Sequence, residues 1–253
     1  MFNIMSASYK EDIPCFKTKQ FLSELNDGKY ENYDFIVFWT KNNNFTIDEL
    51  KLINSKIPFY FTFTINGYEE DIEPFKKNIS INKLIEKFIS ISTNFNHNYV
   101  VWRYDPILIN EKYTINWHCN NFDLIYNKLK NYTNTCVINF IDMYGKLNNV
   151  KHLFREPNIE EINIFGKHIS KYINYNFKIK TCAENLNLNN FGIQKNACID
   201  KQRIIEVKEI RGFNPYLEAI LPAHNRKYCN CLSSIDIGKY HQCENNCIYC
   251  YAK

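Results

Sequence analysis

The sequence Asp34-Phe-Ile-Val-Phe-Trp39 is rich in β-branched and aromatic residues, and a second stretch of this kind, Pro58-Phe-Tyr-Phe-Thr-Phe-Thr-Ile65, follows it. Between the two runs, apolar residues recur at helical spacing over Ile47–Ile53, and Thr46 with Glu49 is the signature of a helix capping box. Short continuous apolar runs are typical of strands that are buried on both faces of a parallel sheet. This stretch therefore predicts a strand, a helix and a second strand parallel to the first.

The same alternation continues in both directions along the chain. Buried strands are predicted at Phe2–Met5, Asp34–Trp39, Pro58–Ile65, Asn98–Tyr104, Thr135–Phe140, Phe177–Thr181 and Leu232–Ile237. Helices are predicted around Phe21–Leu25, Ile47–Ile53, Ile81–Ile89, Trp117–Leu129 and Ile159–Ile173. This pattern favours an α/β fold, a (β/α) barrel or a related open sheet. We expect residues 1–228 to form a barrel-like body, partial or circularly shifted, and residues 229–253 to form a cysteine-rich metal-binding tail that completes the same domain.

Composition excludes several classes of protein. The chain has 253 residues, of which 45% are hydrophobic, so it can bury a sizeable core and is not disordered as a whole. No apolar run reaches the roughly 18 residues that span a bilayer, and the start lacks a secretion signal, so we expect a cytoplasmic protein with no membrane partner. A net charge of only +4 gives no support to a nucleic-acid partner.

Half of the ten cysteines lie from residue 229 onward, namely Cys229, Cys231, Cys243, Cys247 and Cys250. Because a reducing cytosol disfavours disulfide bonds, this density indicates a metal site. Three and then two residues separate Cys243, Cys247 and Cys250. Thiolates at this spacing can hold one side of a [4Fe-4S] cluster and leave one iron without a protein ligand.

This spacing is similar to that of radical S-adenosylmethionine (SAM) enzymes, and Tyr249 matches the aromatic residue that usually precedes their third cysteine. The resemblance implies that SAM binds the open iron through its amino and carboxylate groups, that an electron from the cluster cleaves the sulfonium, and that Tyr249 lies against SAM. An electron donor such as a flavodoxin or ferredoxin is then an implied partner. Two alternatives are a structural zinc on Cys247 and Cys250 with Cys229 and Cys231 among its other ligands, and reduced cysteines without metal.

Four cysteines support a second metal hypothesis. Cys182, Cys198, Cys229 and Cys231 provide the thiolates for a second iron-sulfur cluster or a zinc ion if they converge in space. Isolated cysteines are more often small buried hydrophobic residues. That interpretation applies to Cys15, Cys119 and Cys136.

Polar residues at the ends of the apolar runs are further candidates, because the working residues of parallel barrels lie at the carboxyl ends of the strands. They are Ser6, Ser8, Thr40, Lys41, Thr62, Thr64, Arg103, Asp105, Asn139, Asp142 and Glu184. A single Ser or Thr carries little weight, since strand ends meet water in any protein. Arg103 and Asp105 share one face of an otherwise apolar strand, where they either bind a ligand or pair with each other. The residues predicted to line the barrel mouth for SAM or substrate are Arg103, Asp105, Lys41, Asp142 and Glu184.

Segments spread over nearly the whole chain form one recognisable pattern. They are Ser6-Ala-Ser8, Asp12-Ile-Pro14, Phe38-Trp-Thr-Lys-Asn42, Gly67-Tyr68, Asp71-Ile-Glu-Pro74, Trp102-Arg-Tyr-Asp-Pro106, Phe140 with Asp142 and Tyr144, Cys182-Ala-Glu184, Cys198-Ile-Asp200, Asn225-Arg226, Cys229-Asn-Cys231, Asp236-Ile-Gly238 and the last three cysteines. In this pattern the chain resembles the family catalogued as domain of unknown function number eighteen forty-eight. The terminal cysteines of that family are likened to those of radical SAM enzymes.

We therefore predict a barrel-like α/β domain with a C-terminal [4Fe-4S] cluster that acts as a radical SAM-type enzyme on an unidentified substrate. In ordinary radical SAM barrels the cysteine motif follows the first strand, whereas here it follows the predicted strand Leu232–Ile237. A circular shift explains this difference if that strand lies beside Phe2–Met5. The first alternative is a non-catalytic protein in which zinc or a closed cluster attaches the tail to the barrel. The second is a nucleic-acid repair or modification factor, which needs a basic groove.

Overall fold

The computed structural model of the protein describes residues 2–143, 145–212, 222–223 and 228–252. The strands within these residues are β1 (Ile4–Ala7), β2 (Phe35–Thr40), β3 (Phe59–Thr64), β4 (Val100–Ile107), β5 (Thr135–Phe140), β6 (Lys178–Cys182), β7 (Gln194–Asn196) and β8 (Ile235–Asp236). The α-helices are α1 (Ile13–Phe16), α2 (Thr18–Asn26), α3 (Ile47–Lys56), α4 (Ile81–Asn94), α5 (Ile115–Leu129), α6 (Ile159–Ser170) and α7 (Lys201–Ile210). None of these helices is long and apolar enough to cross a membrane.

The strands form one parallel eight-stranded sheet in the order β7-β6-β5-β4-β3-β2-β1-β8. Each strand from β1 to β7 lies beside its neighbour in the sequence, as in a barrel, and β8 pairs with β1 at the far edge. Among the described residues β7 and β8 do not pair with each other. The prediction of a barrel-like α/β domain in which the last strand lies beside the first is confirmed.

Residues on one face of the sheet converge on the inside of the barrel. Tyr60 of β3, Arg103 of β4 and Thr135 of β5 line the same small interior cavity, together with Cys198 and Arg203. Arg203 lies on α7 and donates hydrogen bonds to Asn98 and Asn134 and to Thr135, close to the starts of β4 and β5. Helix α7 therefore contributes to the filling of the barrel.

All seven strands predicted from apolar runs are present, and the capping box of Thr46 and Glu49 starts α3 as predicted. The sequence analysis missed β7 and α7. Strand β7 is the polar tripeptide Gln194–Asn196, which has no apolar residue to reveal it. Helix α7 has Ile204 and Val207 buried alongside Arg203, so a charged residue interrupts the apolar pattern of its inner face.

The core between the sheet and its helices is rich in aromatic rings and contains one buried histidine. Phe38 stacks on Phe61 with ring centroids 4.9 Å apart. The His118 side chain on α5 is fully buried, where its Nδ1 lies 2.9 Å from the Tyr104 hydroxyl and its Nε2 lies 2.8 Å from the Leu108 carbonyl. The Tyr104 hydroxyl donates to Nδ1 while Nε2–H donates to Leu108, so the imidazole is neutral.

Relative to His118→Gln, the free energy of unfolding of the wild type is expected to fall as the pH is lowered from 6.5 toward 4, while the opposite contribution of Glu184 is common to both proteins. Burial lowers the pKa of His118 from 6.5 to about 4, so only the unfolded chain takes up this proton in that range. The full loss is about 3 kcal/mol. Urea denaturation between pH 7.5 and 5 measures about 2 kcal/mol of it, the part that falls above pH 5. His118→Gln is expected to lose this contribution to the slope, whereas the exposed-site control His152→Gln retains it. An unchanged slope in His118→Gln contradicts the assignment.

Candidate functional site

Four cysteines lie together at the carboxyl ends of the strands. Cys182 ends β6, Cys198 follows β7, and Cys229 and Cys231 precede β8. The sulfurs of Cys182, Cys229 and Cys231 all lie within 4.8 Å of one another, and those of Cys182 and Cys231 are 3.6 Å apart. The Cys198 thiol contacts the thiols of Cys182 and Cys231. These thiols, here called the four-cysteine group, can provide the ligands of a metal ion.

Hydrogen-bond donors and a cation surround this group. The amides of Cys198 and Ile199 donate to the Cys231 sulfur at 3.2 and 3.5 Å. Arg103 Nη1 lies 3.4 Å from the Cys198 sulfur. Hydrogen bonds from the Cys182 and Cys231 thiols lower the pKa of Cys198 well below its usual range, and the charge of Arg103 acts in the same direction. The pKa of Cys229 is also lowered, whereas the pKa values of Cys182 and Cys231 are raised, so these surroundings favour the thiolate at Cys198 and Cys229.

The second group comprises Cys243, Cys247 and Cys250, here called the C-terminal cysteine loop. Cys247 is buried, whereas Cys243 and Cys250 are partly exposed. The Ala252 amide donates to the Cys250 sulfur at 3.4 Å. Among the residues that the structure describes, Cys182, Cys229 and Cys231 are the one set of three potential ligands that all lie within 4.8 Å of one another. In the C-terminal cysteine loop, at least two of the three sulfurs are therefore further apart than that.

A buried carboxylate attaches the C-terminal cysteine loop to the barrel. Asp12 Oδ2 accepts hydrogen bonds from the Asn245 side chain at 2.9 Å and from the Lys41 amide at 2.8 Å. Its Oδ1 accepts a hydrogen bond from Thr40 Oγ1 at 2.6 Å. Burial raises the pKa of Asp12, although these hydrogen bonds oppose the shift. The loop is thereby fixed beside the end of β2.

Tyr249 and Lys41 meet at a second attachment point. Lys41 Nζ donates to the Tyr249 hydroxyl at 2.6 Å and to Glu73 Oε1 at 2.8 Å, and the Tyr249 hydroxyl also donates to Glu73. Lys76 Nζ lies 3.9 Å from Glu73 Oε2 and has no hydrogen-bond partner. Burial opposes the ionisation of Glu73, but the charges of Lys41 and Lys76 hold its pKa below the ordinary value. Two buried ammonium groups thus share one carboxylate next to Cys247.

Arg103 and Asp105 form an ion pair with each other inside the mouth of the barrel. The Arg103 guanidinium also lies over the Trp39 ring, 4.8 Å from its centroid. Asp105 accepts a further hydrogen bond from the Asn139 side chain at 3.3 Å. The sequence left open whether Arg103 and Asp105 bind a ligand or pair with each other, and in the structure they pair with each other. Arg103 also contacts Cys198.

Glu184 and Asp142 lie at the ends of β6 and β5. Glu184 Oε1 accepts a hydrogen bond from the Phe140 amide at 2.8 Å. Burial raises the pKa of Glu184 to about 7, and the charge of Asp142 adds to the shift. Asp142 itself is exposed. These carboxyl groups are therefore neighbours, and Glu184 is joined to the end of β5 rather than to either cysteine group.

Two cavities of different size lie in the described part of the structure. Arg103 lines the interior cavity, whose volume of about 10 Å³ accommodates a single water at most. A larger cavity of about 370 Å³ lies between α2 and the segment after β8, where Lys17, Tyr30 and Lys239 line it. None of the five residues predicted to line the mouth borders this larger cavity.

Sequence reasoning missed Asp12, Glu73 and Lys76. Asp12 and Glu73 lie within Asp12-Ile-Pro14 and Asp71-Ile-Glu-Pro74, two segments of the family pattern. Membership of that pattern is the signal that could have identified both residues. Lys76 lies just outside the second of these segments, so the pattern did not identify it. Tyr144, Asn225 and Arg226, which also belong to that pattern, lie outside the described residues.

The fold and these sites define a barrel-like α/β domain with two groups of cysteines at the carboxyl ends of its strands. The chain belongs to the family described as domain of unknown function (DUF1848), which matches residues 4–252. The family resemblance derived from the sequence is confirmed. No curated protein matches the chain.

Two solved structures of a β-glucuronidase from Ruminococcus gnavus are among the structurally similar proteins. The first, in complex with a C6-substituted uronic isofagomine, has 11% identity and a TM-score of 0.29, and the match covers 83% of this chain and 40% of that one. The second has 9% identity and the same TM-score and coverage. This chain thus spans 40% of the length of either, and the likeness is too slight to carry an argument.

Removal of the Glu73 carboxylate is expected to destabilise the protein strongly. Glu73→Ala leaves Lys41 and Lys76 buried without a counter-charge, which costs about 3–5 kcal/mol. Urea denaturation at pH 7.5 measures the loss. The exposed neighbour Glu70 provides the control, since Glu70→Ala removes the same group outside the buried set. Equal stability of the two variants contradicts a structural role for the Glu73 carboxylate.

Proposed function

We propose that the protein is a radical SAM-type iron-sulfur enzyme in which Cys243, Cys247 and Cys250 hold a [4Fe-4S] cluster. The observation that carries this proposal is the spacing of the three thiols within a loop attached to the strand ends. Thiolates that share one ion must crowd around it, whereas thiolates on a cubane each bind a different iron and stand further apart. The three cysteines are separated by three and then two residues in the sequence, which lets them bind three corners of a cubane and leaves one iron open.

The surroundings of the loop also suit a cluster with negatively charged thiolates. The charge of Lys41 acts on Cys247 against the effect of burial, which raises the pKa of that thiol. Burial also raises the pKa of Cys243, and the backbones of Asn245 and Asp12 act against that shift. The Ala252 amide donates a hydrogen bond to the Cys250 sulfur. Hydrogen bonds to the sulfurs and nearby charge are the means by which proteins stabilise and tune such clusters.

When bound, such a cluster supplies one electron to SAM and starts radical chemistry on a substrate. The side chains that we assign to SAM or substrate are Lys41, Arg103, Asp105, Asp142 and Glu184, with Tyr249 against SAM. Arg103 and Lys41 are buried cations already held by Asp105 and Glu73, which makes them pre-organised partners for the carboxylate of SAM. We also propose that the tail from residue 229 belongs to the barrel domain, that the protein is cytoplasmic, and that a flavodoxin or ferredoxin reduces the cluster.

The same internal pairing favours a second candidate, a non-catalytic protein in which the metal attaches the tail to the barrel. Arg103 pairs with Asp105, and Lys41 pairs with Glu73, so neither cation needs a ligand to be satisfied. A structural metal requires only the tail and its docking surface. The two candidates differ in whether the reduced protein uses SAM.

Anaerobic reconstitution with iron and sulfide is expected to give a brown protein with about four irons at the C-terminal cysteine loop. Cys247→Ala is expected to lose this increment, because the thiol at the centre of the motif is removed. Iron and sulfide analysis with the visible spectrum measures it. Cys119→Ser, in α5 away from both groups, is the matched control. A colourless protein that takes up no iron contradicts the cluster.

The reduced, reconstituted protein is expected to cleave SAM to 5′-deoxyadenosine, which chromatography measures. Cys250→Ala is expected to abolish the product because the cluster loses a ligand. Arg103→Ala is expected to weaken SAM use or substrate coupling, whereas Arg155→Ala, which removes an exposed arginine, leaves it unchanged. An intact reduced cluster that neither binds nor cleaves SAM rejects the enzyme and supports the structural candidate.

A further inference from the structure

We infer that the four-cysteine group is a separate, closed zinc site that joins the two edges of the barrel. Its ligands are Cys182, Cys198, Cys229 and Cys231. This inference concerns different thiols from the radical SAM proposal, and Arg103 is the one side chain that both use. It chooses between the zinc ion and the second iron-sulfur cluster that the sequence left open.

Sulfur spacing distinguishes a single tetrahedral ion from a cubane cluster. A Zn–S bond of about 2.3 Å places two sulfurs of a tetrahedral site about 3.8 Å apart. The sulfurs of Cys182 and Cys231 are 3.6 Å apart, and those of Cys182, Cys229 and Cys231 all lie within 4.8 Å. Thiolates on separate corners of a cubane stand further apart than this, so a single tetrahedral ion fits the group and a cubane does not.

Cys198 completes the set as the fourth thiol. Its sulfur is not among the three that share the 4.8 Å limit, but it contacts Cys182 and Cys231 and lies 3.4 Å from Arg103 Nη1. Four thiolates around a divalent ion carry two excess negative charges. The Arg103 guanidinium and the amides that donate to Cys231 provide the compensation that such a site needs.

The position of the ligands indicates what the ion does. Cys182 and Cys198 come from β6 and the segment after β7, whereas Cys229 and Cys231 come from the segment before β8. Strands β7 and β8 do not pair in the described part of the chain. There the Leu232 amide donates to the Ile199 carbonyl at 3.1 Å. A zinc ion at this point replaces the missing strand pairing and holds the start of the tail that contains the C-terminal cysteine loop.

Four thiolates in a closed tetrahedral site leave no position for a substrate or SAM, which is the pattern of structural zinc, and zinc is therefore the ion that we infer. Iron bound singly by four thiolates has the same geometry. Metal analysis therefore has to identify the element as well as the stoichiometry.

The experiment is elemental analysis of the full-length protein, purified anaerobically without chelators, before and after reconstitution with iron. We expect about one zinc per chain in the wild type. Cys231→Ser is expected to lose at least nine-tenths of the zinc. Cys247→Ala and the control Cys119→Ser are expected to retain it. Because Cys247→Ala tests the C-terminal cysteine loop alone, failure of either site is recognised separately.

A cobalt measurement covers the case in which Cys231→Ser does not fold. Wild-type protein produced in medium that contains Co²⁺ is expected to show, in its absorption spectrum, intense thiolate-to-cobalt charge-transfer bands and the visible bands of a tetrahedral cobalt ion. The inference is overturned if the wild type contains no zinc and takes up no cobalt, if Cys231→Ser retains its zinc, or if iron occupies the four-cysteine group in the purified protein.

Discussion

The parallel pairing of β8 with β1 determines where the C-terminal tail lies. Asp236 of β8 accepts hydrogen bonds from Ser6 Oγ at 2.9 Å and Ser8 Oγ at 2.7 Å, and the Ile237 amide donates to the Ser6 carbonyl. Gly238 then passes so close to Ser8 that a Cβ atom would overlap its side chain. This contact places the segment after β8 over the end of β1, so that the C-terminal cysteine loop reaches the mouth of the barrel.

Buried charges beneath the C-terminal cysteine loop make this position specific. Ionised groups are costly to bury unless they are paired, so a loop that lacked Tyr249 and Asn245 would leave Glu73 and Asp12 with fewer partners. Lys41 serves both attachment points, through its ammonium to Glu73 and its amide to Asp12. The loop and the end of β2 therefore stabilise each other, and hydrogen bonds order this surface without a metal.

Strands with continuous apolar runs and helices with side-chain caps could be predicted, because their signals are local. Strand β7 is a polar tripeptide whose pairing with β6 depends on tertiary structure alone. Glu73 and Asp12 escaped notice because their partners, Tyr249 and Asn245, are distant in the sequence, and no spacing rule connects them. The grouping of Cys182 with Cys229 and Cys231 could be predicted for a different reason. Several cysteines in one chain suggest a shared metal before their positions in space are known.

A continuous series of polar contacts connects the two cysteine groups. Arg103 touches Cys198 and pairs with Asp105, whose amide donates to the Asn66 side chain at 2.8 Å. Asn66 in turn lies 3.4 Å from Glu73, the partner of Lys41 beside Cys247. The cavity beside Arg103 and Cys198 has room for a single water at most. The two groups therefore contact different charged residues, Arg103 on one side and Lys41 with Glu73 on the other, and Asp105 and Asn66 connect these residues.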